Sequence, residues 1–201
     1  MATIEGSAFD DSLHGTQSPD VIFGHAGDDA IFSGGGHDIA FGGSGDDMLF
    51  GQAGDDYLLG GSNSDYIDGA GGHDVLLGGA GEDFLLGGAG NDTLFGGVGN
   101  DYIDGGAGDD LLSGGSGQDV FTFSGGGGND LVLDFKEGVD LLEISKGING
   151  TDISTADDVA ARATAVGHST VIDLGGGDSI TLNGVSVEDV HDNPSAYFLV
   201  H

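Results

Sequence analysis

Thirteen aspartates recur at an interval of nine residues, and an evenly spaced row of carboxylates suits one kind of chemistry, the holding of hard cations. They are Asp11, Asp20, Asp29, Asp38, Asp47, Asp56, Asp65, Asp74, Asp83, Asp92, Asp101, Asp110 and Asp119. Each is the sixth residue of a phrase Gly-Gly-x-Gly-x-Asp-x-apolar-x, clearest in Gly78–Leu86 and Gly87–Phe95. The eighth residue is apolar in every copy: Leu13, Ile22, Ile31, Ala40, Leu49, Leu58, Ile67, Leu76, Leu85, Leu94, Ile103, Leu112 and Phe121. Composition bias does not keep two columns in step from Gly6 to Thr122 without one insertion, so the phrase is a structural repeat.

The phrase itself dictates how these carboxylates are positioned. Glycines at the first, second and fourth places supply the tight backbone of a turn and leave carbonyl groups unobstructed. The last three residues read as a short strand, with the eighth side chain on one face and the seventh and ninth on the other. Two phrases close one flattened coil, and stacked coils give two parallel sheets around the eighth-place residues. Repeats n and n+2 then lie about 4.8 Å apart, which sorts the aspartates into two rows. Ionised carboxylates at that distance repel one another. A hard divalent cation between them reverses the sign, and Ca²⁺ suits the place because it accepts six to eight oxygens in flexible geometry. Mg²⁺ suits it less, since it demands a tight octahedron and keeps its water.

The phrase resembles the RTX (repeats-in-toxin, haemolysin-type) calcium-binding nonapeptide, over Gly6 to about Phe135. The resemblance implies an all-β chain: a right-handed parallel β-roll over residues 6–135, followed by a capping β-segment with one short helix over 136–201. It also implies calcium between the turns of repeats n and n+2, held by the sixth-place aspartates and by turn carbonyls. The carbonyls would come from Gly34, Gly36, Gly43, Gly45, Gly54, Gly61, Gly72, Gly79, Gly81, Gly88, Gly90, Gly97, Gly99, Gly106, Gly108, Gly115 and Gly117. Thirteen repeats give about eleven such gaps. The first two repeats depart from the phrase: Phe9 and Ser18 stand in the fourth place, and Pro19 in the fifth. Asn63 also replaces a fourth-place glycine, but asparagine tolerates the left-handed region, so that turn is expected to survive.

Charge and composition exclude several functions. With 35 acidic residues against 3 basic ones and a net charge of −32, the chain lacks the Lys and Arg that phosphate binding needs, so it is not expected to bind nucleic acid. Its 44 glycines make ordering entropically expensive, so the metal-free chain is expected to be disordered and self-repelling. About eleven Ca²⁺ would add roughly +22 and leave about −10, which makes metal binding and folding one event. Cysteine is absent, which excludes disulfides and thiolate sites. Met1–Gly6 has neither a basic nor an apolar leader segment, so a Sec-type signal peptide is not expected, and no apolar run reaches membrane-span length. The seven histidines form no His-Glu-x-x-His, and no Gly-x-Ser-x-Gly elbow occurs, so the chain is read as a non-enzyme. The fifth-place acids Asp10, Asp28, Asp46, Asp55, Glu82 and Asp109 read as solvated charge.

Past Thr122 the register slips at Phe123-Ser124, and one more phrase, Gly125–Leu133, places Asp130 to extend a row. Asp134–Ile144 then reads as two strands about a turn. Thr155–Val166 reads as a helix, with a capping box from Thr155 and Asp158 and a stop at Gly167. Thr170–Leu174 and Asp178–Leu182 read as a hairpin, and Tyr197–Val200 as a closing strand. This order is similar to the C-terminal region of type I secreted proteins, which implies an uncleaved signal there, the type I secretion apparatus as a partner, and an extracellular location. The outward positions Val21, Phe23, Ile39, Phe41, Tyr57, Leu59, Val75, Leu77 and Phe95 form an apolar face for a second copy or a partner domain, whereas Asp68 and Asp104 break the other sheet's face. Two further readings stand beside a free-standing calcium-binding protein: the C-terminal module of a larger secreted enzyme, and a calcium-dependent surface adhesin.

Overall fold

A computed structural model describes the whole chain, Met1–His201. The chain winds as a parallel β-solenoid with two sheets. The first contains, in spatial order, Thr3–Glu5, Val21–Ala26, Ile39–Ser44, Tyr57–Ser62, Val75–Ala80, Thr93–Val98, Leu111–Ser116, Asn129–Val132, Asp178–Leu182, Ser169–Gly175 and Ala163–Val166. The second contains Ser12–His14, Ala30–Phe32, Met48–Ala53, Tyr66–Gly71, Phe84–Ala89, Tyr102–Ala107, Val120–Phe123, Leu141–Ile144 and Phe198–Val200. Pairing joins each repeat to the one two phrases on, as in Leu76 with Leu94 and Leu85 with Ile103.

All thirteen eighth-place residues are buried, and their columns meet between the sheets as one core. Alternation does the sorting, because the seventh and ninth side chains of each strand point outward. Ten of the twenty strands are six residues long rather than the expected three, since pairing continues through the next phrase's first three places, as in Gly79 with Gly97 and Ala80 with Val98. The turn is thereby confined to places four to six. That confinement holds every sixth-place aspartate at a coil edge.

Beyond the roll the sheets continue without a break in pairing, Asn129–Val132 with Asp178–Leu182 and Val120–Phe123 with Leu141–Ile144. The Thr170–Leu182 hairpin forms as expected, antiparallel within the first sheet. The capping box at Thr155 forms, but the helix is only Ala156–Ala160. Ala163–Val166 instead pairs antiparallel with Ser169–Gly175, and Gly167 (φ 65°) turns that hairpin rather than ending a helix. A second helix, Val187–Asp192, was not anticipated; Ser186 caps it and Val190 packs it onto the core. Neither helix is long and apolar enough to cross a membrane.

Leu85 is fully buried and Val98 is 62% exposed. In calcium-containing buffer, Leu85→Ala is expected to cost about 2–5 kcal/mol in denaturant unfolding, and Val98→Ser less than about 0.5 kcal/mol. Equal costs would contradict this placement of the core.

Candidate metal centre

Every sixth-place aspartate from Asp20 to Asp119 is buried, although its side chain is charged in water. One carboxylate oxygen is accounted for by the chain. Oδ1 of each aspartate accepts the backbone N–H of the aspartate one coil earlier: Asp29 donates to Asp47 at 2.8 Å, Asp47 to Asp65 at 2.9 Å and Asp65 to Asp83 at 2.8 Å. The other row repeats this from Asp38 to Asp56, Asp56 to Asp74 and Asp74 to Asp92, at 2.7–2.8 Å. Asp130 continues it, accepting from Asp110 at 3.0 Å.

The second oxygen is not accounted for. Oδ2 is buried without a hydrogen-bond donor in Asp29, Asp38, Asp47, Asp56, Asp65, Asp74, Asp83, Asp92, Asp101, Asp110 and Asp119. A buried carboxylate oxygen without a donor is costly, so eleven of them ask for a common partner. Carbonyl oxygens stand close by. A Cβ built on Gly78 would lie 2.3 Å from Oδ2 of Asp83 and 2.6 Å from the carbonyl oxygen of Gly96, so only glycine leaves this pocket of oxygens open. At the fourth place, a Cβ on Gly99 would lie 1.5 Å from the carbonyl oxygen of Gly81. No three carboxylates or imidazoles converge on one point, so any metal here must mix carboxylate with backbone carbonyl. Such an all-oxygen set fits a hard, flexibly coordinated cation.

Backbone torsion at the second place separates the eleven aspartates from Asp11, Asp20 and Asp140. In their repeats the second residue, His25, Gly34, Gly43, Gln52, Gly61, Ala70, Gly79, Gly88, Gly97, Gly106 or Gly115, has positive φ. Ser7, Thr16 and Lys136 do not, and their N–H groups turn onto the carboxylate of their own repeat. Ser7 donates its N–H (2.6 Å) and Oγ (2.8 Å) to Oδ2 of Asp11, and Thr16 its N–H (2.8 Å) and Oγ1 (2.7 Å) to Oδ2 of Asp20. The sequence singled out Phe9, Ser18 and Pro19 as the departures in these repeats; the residues that occupy the carboxylates are Ser7 and Thr16. Asn63 adopts φ 77° as expected, while His25, Gln52 and Ala70 adopt the left-handed region with no help from residue type.

One rung was missed in the sequence. Asp119 N–H donates to Oδ1 of Asp140 at 3.2 Å, which makes Phe135–Glu143 a further phrase with its first two glycines replaced. Gly138, Asp140 and Leu142 keep the fourth, sixth and eighth places, and that residual spacing was the available signal. The fifth-place side chains, read as solvated charge, are exposed but form a second ladder of opposite sense. Asp46 N–H donates to Oδ1 of Asp28 (2.9 Å), Asp55 to Nδ1 of His37 (2.9 Å), His73 to Oδ1 of Asp55 (2.9 Å) and Asn91 to Nδ1 of His73 (2.7 Å). His37 and His73 must carry their proton on Nε2 to accept these bonds.

The outer faces carry apolar and aromatic rows. Val21, Phe23, Ile39, Phe41, Leu59, Val75, Leu77 and Phe95 are half-buried against one another, and Tyr57 is exposed. The opposite sheet carries the longer aromatic stack despite Asp68 and Asp104. His14, Phe32, Phe50, Tyr66, Phe84 and Tyr102 stack with ring centroids 4.4 to 5.7 Å apart, crossing from the ninth place to the seventh at Tyr66.

Burial raises the row carboxyls well above the ordinary range, and the N–H bond from the preceding aspartate only partly offsets it. Asp47 and Asp74 are pushed up to about 6, Asp56, Asp101 and Asp110 to about 7, and Asp65 to about 8. Asp130 rises to about 8 from the same cause. Asp20 moves the other way, lowered by the N–H of Ala2 and the hydroxyl of Thr16.

Together these features define a class: a parallel β-solenoid whose turns are built to take up hard cations on oxygen. The chain belongs to the RTX calcium-binding nonapeptide repeat family, whose four-copy model matches residues 5–40, 32–67, 41–76, 59–94, 68–103 and 86–121. Among solved structures, the extracellular lipase LipA of Serratia marcescens is similar at 21% identity and a TM-score of 0.45, over 98% of this chain and 40% of the lipase. The AlgE6R3 subunit of the Azotobacter vinelandii mannuronan C5-epimerase is similar at 23% identity and a TM-score of 0.32, over 96% of this chain and 80% of that one. This chain thus spans well under half of the lipase's length. No curated protein sequence matches it at a significant level.

The raised values fix the sign of a pH effect. A carboxyl at 3.8 in the unfolded chain and about 8 in the roll, as for Asp65, favours folding below 3.8 and loses that contribution as pH rises through 8. In chelator, the β signal in circular dichroism is therefore expected to grow as pH falls through the window from about 8 to about 6. A metal-free β signal that grows with rising pH would contradict these burial effects.

Proposed function

We propose that the chain is a secreted calcium-binding roll that folds as it takes up calcium outside the cell. The observation that supports this reading is the set of eleven buried Oδ2 atoms without donors, each matched by a positive φ at the second place of its repeat. In this reading Oδ2 of Asp29 through Asp119, with carbonyl oxygens of the turn glycines, would hold no more than eleven ions. Asp130, buried and bonded through Oδ1, extends the row that contains Asp110. Asp11 and Asp20 take no ion, because seryl, threonyl and amide donors already occupy their carboxylates. Calcium would supply the positive charge that the rows lack, and the backbone N–H bonds to Oδ1 would fix each carboxylate for it.

Compartment follows from affinity. Extracellular calcium modules work at about 10⁻⁴–10⁻³ M, far above free calcium in the cytosol. The chain would stay unfolded inside the cell and fold outside, with residues 6–135 as the calcium-binding roll. Residues 136–201 would cap it and carry the signal read by a type I secretion apparatus. This is a binding and folding role rather than catalysis.

Circular dichroism against calcium at pH 7 is expected to show β structure appearing in one steep transition near 10⁻⁴–10⁻³ M; full β structure in excess chelator would contradict it. Native mass spectrometry adds a residue-level test. Asp65→Asn is expected to lower the number of bound ions, and Asp11→Asn to leave it unchanged. The reverse result would overturn the ligand assignment.

A further inference from the structure

Ser33 stands in the first place of its repeat, where the other twelve of the thirteen repeats have glycine. That place faces into the coil, as the eighth does, and looks onto the carboxylate of its own repeat. A Cβ on Gly24 would lie 2.3 Å from Oδ2 of Asp29 and 2.5 Å from the carbonyl oxygen of Gly42. One on Gly42 would lie 2.4 Å from Oδ2 of Asp47 and 2.7 Å from the carbonyl oxygen of Gly60. Ser33 carries a real side chain in that direction, into the gap between Asp38 and the turn that begins at Gly51. The coil yields to it: the strand Ala30–Phe32 ends just before Ser33, and pairing with Met48–Ala53 resumes only at Gly35 with Ala53.

Two buried oxygens belong to this gap, and neither has a partner. Ser33 is fully buried, and its Oγ makes no hydrogen bond. Asp38 accepts the N–H of Asp20 at Oδ1 (2.7 Å) and leaves Oδ2 without a donor. Apart from the carboxylates, only Oγ1 of Thr122 and the hydroxyl of Tyr197 are buried in the same condition, and neither belongs to the turn of a repeat. The hydroxyls of Ser7 and Thr16 behave differently: from the second place they donate to Oδ2 of their own aspartates, at 2.8 Å and 2.7 Å, and so occupy them. Ser33 makes no such bond to Asp38, which leaves lone pairs free on both oxygens. A hydroxyl left unpaired in the interior is costly, and free oxygen lone pairs are what a hard cation takes.

We propose that Ser33 Oγ is a ligand of the calcium ion in the Asp38 gap, the one gap among the thirteen repeats where a first-place side chain joins carboxylate and backbone carbonyl. The proposal rests on the calcium reading given above. Thr16 already occupies the carboxylate of Asp20, so Asp38 opens the metal-binding part of its row. The hydroxyl therefore serves the first ion of that row, and the two unpartnered oxygens are satisfied by one cation.

Ions per chain, counted by native mass spectrometry across a calcium titration, test this. Ser33→Ala keeps the Cβ and removes the oxygen, and it is expected to carry one calcium fewer than the unmodified chain. Ser33→Ala combined with Asp38→Asn is expected to lose that same single ion. An unchanged count in folded Ser33→Ala, or the loss of two ions in the double variant, overturns the proposal while leaving the calcium reading intact. Ser33→Gly decides the matter if Ser33→Ala does not fold: it is expected to gain no ion and to need more calcium to complete its count. A gain of one ion there means that the side chain blocks the gap, and a full count reached at the same calcium concentration means that the hydroxyl is not a ligand; either result overturns the proposal. An unmodified chain that binds no calcium sinks both readings.

Discussion

A buried carboxylate oxygen with no donor is the constraint on which this structure turns. Each coil satisfies half of its aspartate, through the N–H bond to Oδ1, and leaves the other half facing glycine carbonyls. In a low-dielectric edge, stacked oxygens of one sign either bind protons or bind metal. The raised carboxyl values express the first alternative and the family's calcium the second. Everything else in the roll, including the apolar column and the outer stacks, is neutral to that choice. These parts bring coils to one spacing, and the spacing creates the electrostatic problem.

Much of this was legible in the sequence, because a nine-residue period with two invariant columns admits few solutions. Strand pairing of n with n+2, the burial of the eighth place and the two rows of aspartates follow from alternation and stacking alone. What the sequence did not disclose lies mostly in backbone torsion. Ala70 adopts φ 68° only because its neighbours in the stack fix the turn, so residue type gave no warning. Ser7 and Thr16 were overlooked for the opposite reason: their hydroxyls act locally, within a four-residue loop, and a repeat comparison weighs the missing glycines instead. The fifth-place ladder was hidden because hydrogen bonding and solvent exposure coexist there. At Ala163–Val166 tertiary pairing overrode a helical pattern, since Thr164 and Val166 pair as readily in a strand.

The two ends solve one problem by different means. A solenoid must stop without exposing its core or its unpaired charge. At the N-terminal side, hydroxyl and amide donors quench the carboxylates of Asp11 and Asp20. At the other end, Asp140 receives the amide of Lys136, while the Thr170–Leu182 hairpin and Phe198–Val200 cover the two sheets. Carboxylates without donors therefore occupy the middle of the roll.

The most direct measurement is a crystal structure grown in calcium with anomalous data collected to place the ions. Density for calcium is expected within about 2.3–2.6 Å of Oδ2 in the aspartates from Asp29 onward, and none at Asp11 or Asp20. Oδ2 atoms surrounded only by water or by new protein donors, in crystals soaked with the metal, would contradict the account at its root.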